Sequence, residues 1–226
     1  MKSSKLVIGV FMKNWLKLPV KTRLARSVGS NVAIEIYCTM LRILVDTLNQ
    51  LQDVNVIWCV AGGRDKLDEF MGDGLQFCDQ VEGGLGQKMN VFSEQQFSAG
   101  ASSVIIIGSD SLYLNNVDFD IAFQELESNR LVFQPSNDGG YTLVGMNQPT
   151  PEIFESMPWS QENLMQSTLH KVDECGFDCA LLSQRSDIDT LQDFNEWCDE
   201  HRELVYSDNR FLNFLRLYSS SKIECR

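Results

Sequence analysis

Three stretches of the chain carry side chains able to handle phosphate, a hard cation or a proton. The first covers residues 13–26 and holds Lys13, Lys17, Lys21, Arg23 and Arg26. Arg presents a planar fork of donors and Lys a compact charge, so a loop bearing both suits a phosphate. A helix N-terminus fed by that loop would add backbone N–H groups. A solvated basic loop is the plain alternative, since neither a Walker motif nor G-x-G-x-x-G is present. The second stretch is Gly108-Ser109-Asp110-Ser111, which follows the Ile-rich run 104–107. Mg²⁺ and Mn²⁺ prefer oxygen ligands and often bridge one or two carboxylates to a substrate phosphate, which Asp110 would suit. A turn or helix-capping role fits the same residue equally well. The third combines Asp138-Gly139-Gly140-Tyr141 with Asp187-Ile188-Asp189-Thr190. Paired glycines permit a sharp turn or close backbone approach to a ligand. Asp187 and Asp189 share a face if the segment is extended, as a metal ligand and a base would. Asp189 or Thr190 could instead cap the helix that follows.

Weaker features stand beside these. Gly83-Gly84-Leu85-Gly86 lacks dinucleotide-binding spacing and reads as a tight turn or a cover over a ligand. Tyr141 and Trp159 can stack on a base or sugar, although core packing is the commoner use of aromatics. His170 and His201, the only histidines, sit in helical patterns, and no nearby Ser or Cys suggests a triad.

These residues need a scaffold. Short apolar runs at 5–12, 54–61, 75–78, 104–107, 131–134, 140–145 and 178–182 read as strands. Helical periodicity marks 31–51, 67–71, 117–127, 161–175 and 190–201, the Gly-rich 82–86 leads into a helical pattern through about 98, and a terminal helix and polar tail cover 202–226. The alternation predicts an α/β fold: one domain over 1–226 with a Rossmann-like, mostly parallel sheet flanked by helices. In such sheets ligands sit outside the carboxyl ends of the strands, where all three stretches fall.

Composition narrows the function classes. The 226 residues are 43% hydrophobic and 22% charged, which excludes wholesale disorder. The net charge of −12 argues against general nucleic-acid binding. That charge is uneven. Residues 1–34 hold seven Lys and Arg and no acid, leaving the other 192 residues with 12 basic against 31 acidic side chains. Seven cysteines without a C-x-x-C pair read as reduced thiols of a cytoplasmic protein. No apolar stretch approaches the roughly 18 residues that a membrane span requires.

In order, the chain reads Leu18-Pro19-Val20-Lys21-Thr22-Arg23-Leu24, Glu82-Gly83-Gly84-Leu85-Gly86-Gln87-Lys88-Met89, Ile107-Gly108-Ser109-Asp110, then Gln134-Pro135-Ser136-Asn137-Asp138-Gly139-Gly140-Tyr141, Pro158-Trp159-Ser160 and Asp187-Ile188-Asp189-Thr190. Over roughly residues 5–198 this resembles the DUF2064 family of glycosyltransferase-A-type, nucleotide-diphospho-sugar transferase-like proteins. The resemblance implies a nucleotide pocket at the first loop and places Asp110 where such enzymes carry a metal-binding acid. A glycine usual before the V-K-T-R segment is absent here, and Leu112 stands where the family has proline.

The expected function is transfer from a nucleotide-activated donor with Mg²⁺ or Mn²⁺. Lys13, Lys21, Thr22, Arg23, Gly84 and Gly86 would hold the nucleotide phosphates. Asp110 and Asp189 would hold the metal, with Asp187 or Asp189 as base. Asp138, Gly139, Gly140, Tyr141 and Trp159 would meet the substrate. A nucleotide-sugar donor makes the protein a glycosyltransferase. A nucleoside triphosphate donor makes it a nucleotidyltransferase. A non-catalytic nucleotide-binding protein of the same fold is the third reading, motivated by Leu112 and the altered loop.

Overall fold

The central apolar runs become strands buried on both faces of one sheet, and the runs at its edges become part-exposed strands. The structure is a computed structural model that describes residues 5–202. The strands are β1 (Leu6–Lys13), β2 (Val54–Ala61), β3 (Gln76–Asp79), β4 (Ser103–Gly108), β5 (Leu131–Pro135), β6 (Tyr141–Met146) and β7 (Cys179–Leu181). The helices are α1 (Thr22–Val28), α2 (Ser30–Leu48), α3 (Leu67–Met71), α4 (Leu85–Ser98), α5 (Asn116–Glu125), α6 (Leu164–Glu174) and α7 (Leu191–Glu200). The terminal helix and tail expected after residue 202 lie outside the described residues.

The sheet order is β3-β2-β1-β4-β6-β5-β7. Only β6 runs against its neighbours, pairing antiparallel with both β4 and β5. The mostly parallel α/β fold expected from the alternation of elements is therefore present. Along β1 the side chains alternate: Ile8, Val10 and Met12 enter one core with Tyr37, Leu41 and Leu44 of α2, whereas Val7 enters the other with Met89 and Phe92 of α4. Strands covered on both faces need no polar side, which explains their unbroken apolar sequence. A third cluster joins Leu24 of α1, Ile36 and Met40 of α2, Leu112, Ile188, and Phe194 and Trp197 of α7. Leu112, noted as a departure from the family pattern, is thus a core residue that ties the loop after β4 to α1 and α7.

Two differences from the expected elements bear on the site. Residues 22–28 form α1, where the sequence reads as loop. A short 3-10 turn, Pro151–Phe154, precedes the Trp159 segment. Both are too short to show a periodic apolar stripe, so packing rather than pattern defines them.

Candidate functional site

Register alone gathers the site. β1 ends opposite β2 at Lys13 and Ala61 and opposite β4 at Phe11 and Gly108, so the loops after these strands leave the same edge of the sheet. The antiparallel β6 enters from that edge, which brings the 136–141 turn there too. The segment 183–190, after β7, completes the rim and is pinned by the Ile188 N–H donating to the Asp110 carbonyl at 3.2 Å. The first loop is shaped by Asn14, which is fully buried. Its amide donates to Gly63 O at 2.9 Å, and its Oδ1 accepts from Leu16 N at 3.0 Å.

At this rim the chain builds an acid–cation centre. The Lys21 side chain is 1% exposed. Its ammonium lies 2.7 Å from Asp110 Oδ1 and 3.7 Å from Asp189 Oδ1, and it also donates to the Ile188 carbonyl. Arg23 Nη1 reaches Asp189 Oδ2 at 3.2 Å from the exposed side. The Ser111 hydroxyl donates to Asp187 Oδ1. Burial pushes the Asp187 carboxyl up to about 7; the Ser111 bond and Lys21 oppose the rise, and the charges of Asp110 and Asp189 add to it.

The capping alternatives resolve in favour of other residues. Thr190, with Asp193, caps α7, and Asn115, with Asp118, caps α5, so the carboxylates of Asp189 and Asp110 remain with Lys21. Lys21, expected to face phosphates directly, is instead an internal cation whose three partners are protein oxygens. Thr22 opens α1 and is exposed, Lys17 turns away to pair with Asp65 at 3.1 Å, and Arg26 is exposed in the last turn of α1.

Two adjacent cavities flank the centre. The first, about 250 Å³, is lined by Lys13, Lys21, Tyr37, Gln80, Lys88 and Asp110. The second, about 190 Å³, is lined by Tyr141, Thr142, Trp159, Leu164, Met89 and Asp187. Phe11 and Leu85 border both. The first is therefore cationic at its rim and the second apolar with one carboxyl. Tyr37 donates to the Lys13 carbonyl at 3.3 Å and lies 3.0 Å from Ser109 Oγ, which fixes the floor beneath Asp110; burial raises its phenol above the ordinary value. Gln80 donates to Met12 O and Cys59 O, closing the β2–β3 side. Asn14, Tyr37, Gln80, Lys88 and Ser111 were not singled out from sequence. Only Lys88 carries a legible signal there, a cation one turn into the helix that follows the double glycine.

The glycines divide by role. Gly84 is the N-cap of α4 and is exposed at the rim. Gly86 is buried, and a Cβ there would come within 2.7 Å of Trp159 Cζ2, so it seats Trp159 rather than a ligand. Gly139 has φ +84, and its carbonyl accepts from Met165 N at 2.8 Å. Asp138 is exposed and turned inward on its own loop, where Oδ1 accepts from Gly140 N at 3.1 Å and from the Ser136 hydroxyl. The D-G-G string is therefore a tight turn that supports the Tyr141–Trp159 wall. Those two rings meet edge to face with centroids 6.5 Å apart. The buried Tyr141 hydroxyl has no hydrogen-bond partner among the described residues.

Comparisons with known proteins agree with this architecture. The model of the family described as "Uncharacterized protein conserved in bacteria (DUF2064)" matches residues 44–161, just over half of the chain. No curated protein matches the sequence. Among solved structures, a candidate nucleotide-diphospho-sugar transferase from Desulfovibrio desulfuricans G20 is 24% identical over 96% of both chains, with a TM-score of 0.87. Rv0371c from Mycobacterium tuberculosis H37Rv is 13% identical over 87% of this chain and 98% of its own, TM-score 0.58, and has also been solved in complex with manganese. The inositol-1-phosphate CTP transferase from T. maritima is 13% identical over 85% of this chain and 93% of its own, TM-score 0.55. At these identities the likeness concerns the fold, which is that of nucleotide-diphospho-sugar transferase-like proteins.

Proposed function

The chain belongs to the DUF2064 family, and on that premise we propose that it is a transferase acting on a nucleotide-activated donor, with a nucleotide-diphospho-sugar as the leading substrate class. The observation that carries this reading is the convergence of Lys21, Asp110 and Asp189, from three separate loops, beside a cavity that Lys21 and Asp110 line together with the further cations Lys13 and Lys88. The nucleotide lies in the first cavity. Its phosphates face Lys13, Lys88 and Arg23, and Gly84 at the head of α4 lets them approach the backbone. The transferred or acceptor group lies in the second cavity against Tyr141 and Trp159. Asp187, which borders that cavity with its carboxyl oriented by Ser111, is placed to accept the acceptor's hydroxyl proton. Seven cysteines without a C-x-x-C pair read as reduced thiols, which suit a cytoplasmic setting.

Asp110 and Asp189 fit a hard divalent cation by donor type, though not as a complete cage. Among the described residues no group of three His, Cys, Asp or Glu side chains stands close enough to hold a metal. Two carboxylates completed by substrate phosphates are the usual Mg²⁺ arrangement. A cation held by Asp110 and Asp189 would supply positive charge against the charge building on a leaving phosphate.

The second reading, a nucleotidyltransferase, is favoured by the likeness of the fold to that of the inositol-1-phosphate CTP transferase. One experiment separates the readings: incubation with nucleotide-sugars and with the four nucleoside triphosphates, with and without Mn²⁺, scoring nucleoside diphosphate against pyrophosphate. Release of a nucleoside diphosphate from a nucleotide-sugar supports the glycosyltransferase, and pyrophosphate release the alternative. Failure of every nucleotide to bind at millimolar concentration refutes both. Asp110→Asn is expected to abolish metal-dependent nucleotide binding while circular dichroism stays unchanged; retained metal dependence removes Asp110 from the site.

A further inference from the structure

Lys21 occupies the place that a metal between Asp110 and Asp189 would need. Its ammonium is within 2.7 Å of one carboxylate and 3.7 Å of the other, and a fully buried stem holds it there. The same residue has φ 47 and ψ 44, a left-handed conformation that costs a non-glycine residue energy and persists only where surroundings enforce it. The charges are also matched. Asp110 and Asp189 face two cations, Lys21 and Arg23. A divalent ion added to that balanced set would leave a partly buried excess of positive charge, and an anionic diphosphate in the adjacent cavity is what would offset it.

We propose that Lys21 is an internal counter-cation that competes with the divalent metal for Asp110 and Asp189, so that metal binds well only when a nucleotide phosphate draws the ammonium toward itself. The proposal rests on the transferase reading above. It makes Lys21 a positioning residue with two stations, the carboxylate pair in the free protein and the phosphate in the complex, and it couples metal affinity to nucleotide affinity. Coupling of this kind is reciprocal: nucleotide must strengthen metal binding by the same factor as metal strengthens nucleotide binding.

The test is Mn²⁺ binding by calorimetry, or by the electron paramagnetic resonance signal of free Mn²⁺, at fixed pH without nucleotide. Wild type is expected to bind weakly. Lys21→Met, which keeps the stem and removes the charge, is expected to bind at least tenfold tighter, and Lys21→Arg to stay as weak as wild type. Mn²⁺ is also expected to raise the melting temperature of Lys21→Met more than that of wild type, a readout that remains valid if the variant is less stable. The gain is expected to vanish in Lys21→Met combined with Asp110→Asn. A Lys21→Met affinity equal to or below that of wild type overturns the proposal. Failure of the transferase reading is read separately, as absence of any thermal shift of wild type by UDP-, GDP- and TDP-sugars or nucleoside triphosphates, with and without Mn²⁺.

Discussion

Replacing Gly139 by Ala tests whether the substrate wall is built as described. Two glycines here share one backbone angle, φ +84 at Gly139 and φ +85 at Gly29, but differ in surroundings. A Cβ on Gly29 would meet nothing within 4 Å, whereas one on Gly139 would stand 2.6 Å from the Glu162 carbonyl carbon and 2.9 Å from its Cα. Gly29→Ala therefore carries backbone strain alone, about 1–3 kcal/mol. Gly139→Ala carries the same strain plus overpacking against main chain, about 1–3 kcal/mol. It also loosens the bond from Met165 N to Gly139 O, worth about 1 kcal/mol. The excess of Gly139→Ala over Gly29→Ala is thus expected at about 2–4 kcal/mol. Urea unfolding followed by circular dichroism measures it: with m near 2–3 kcal/mol/M the two midpoints should differ by about 1 M. The displaced 155–163 segment carries Trp159, so ligand affinity should fall in Gly139→Ala and hold in Gly29→Ala. Equal destabilisation by the two substitutions would refute the close approach and, with it, the assignment of the D-G-G turn as support for the second cavity.

Other substitutions probe separate parts. Asp187→Asn, which keeps an acceptor for the Ser111 hydroxyl, should lower kcat by about 10²-fold or more with little change in KM if Asp187 takes the acceptor proton; steady-state kinetics with an unchanged kcat would exclude that role. Lys88→Ala should weaken nucleotide binding about tenfold, or about 1.4 kcal/mol, in calorimetric titration, with no loss of fold. Arg185→Met should destabilise the protein by about 3 kcal/mol, because Arg185 Nη2 lies 3.1 Å from the carboxylate of Asp118, whose side chain is only 8% exposed. Arg64→Met, at an exposed pair with Asp79, should cost no more than about 0.5 kcal/mol in the same chemical denaturation, and equal losses would show that burial is not the deciding factor.

Much of the scaffold was legible because strands buried on both faces are written as unbroken apolar runs. Residues 54–61 and 67–71 begin and end in the structure where the pattern places them. Boundaries slipped by one to three residues at α6 and α2, where the apolar pattern runs on past the helix and no side-chain cap marks its start. Helix α1 was not legible, since seven residues give a single buried position, Leu24, and no period. The antiparallel course of β6 shows in the sequence only through its short connection to β5, too short for a parallel crossover. Its composition matches that of the parallel strands of the sheet, and the Gly139 turn, which returns the chain directly beside β5, sets its direction.

The chemistry divides along the same line. Residue types and order alone marked Lys21, Asp110, Asp187 and Asp189 as the residues to watch, because cations and carboxylates following buried strands are aimed at the crevice. Their partners were beyond the sequence. Lys21 and Asp189 are 168 positions apart, and nothing local states that the ammonium of one sits on the carboxylate of the other. That contact exists because parallel register carries the ends of β1 and β4 to one rim and Ile188, buried beside Leu24 and Leu112, carries the acidic segment there as well. The sequence by itself determined an α/β sheet with a basic first loop and a supply of acids. Only the tertiary structure decided that this basic loop turns its central charge inward, since the energy of a buried ion pair depends on distances that long-range packing alone can set.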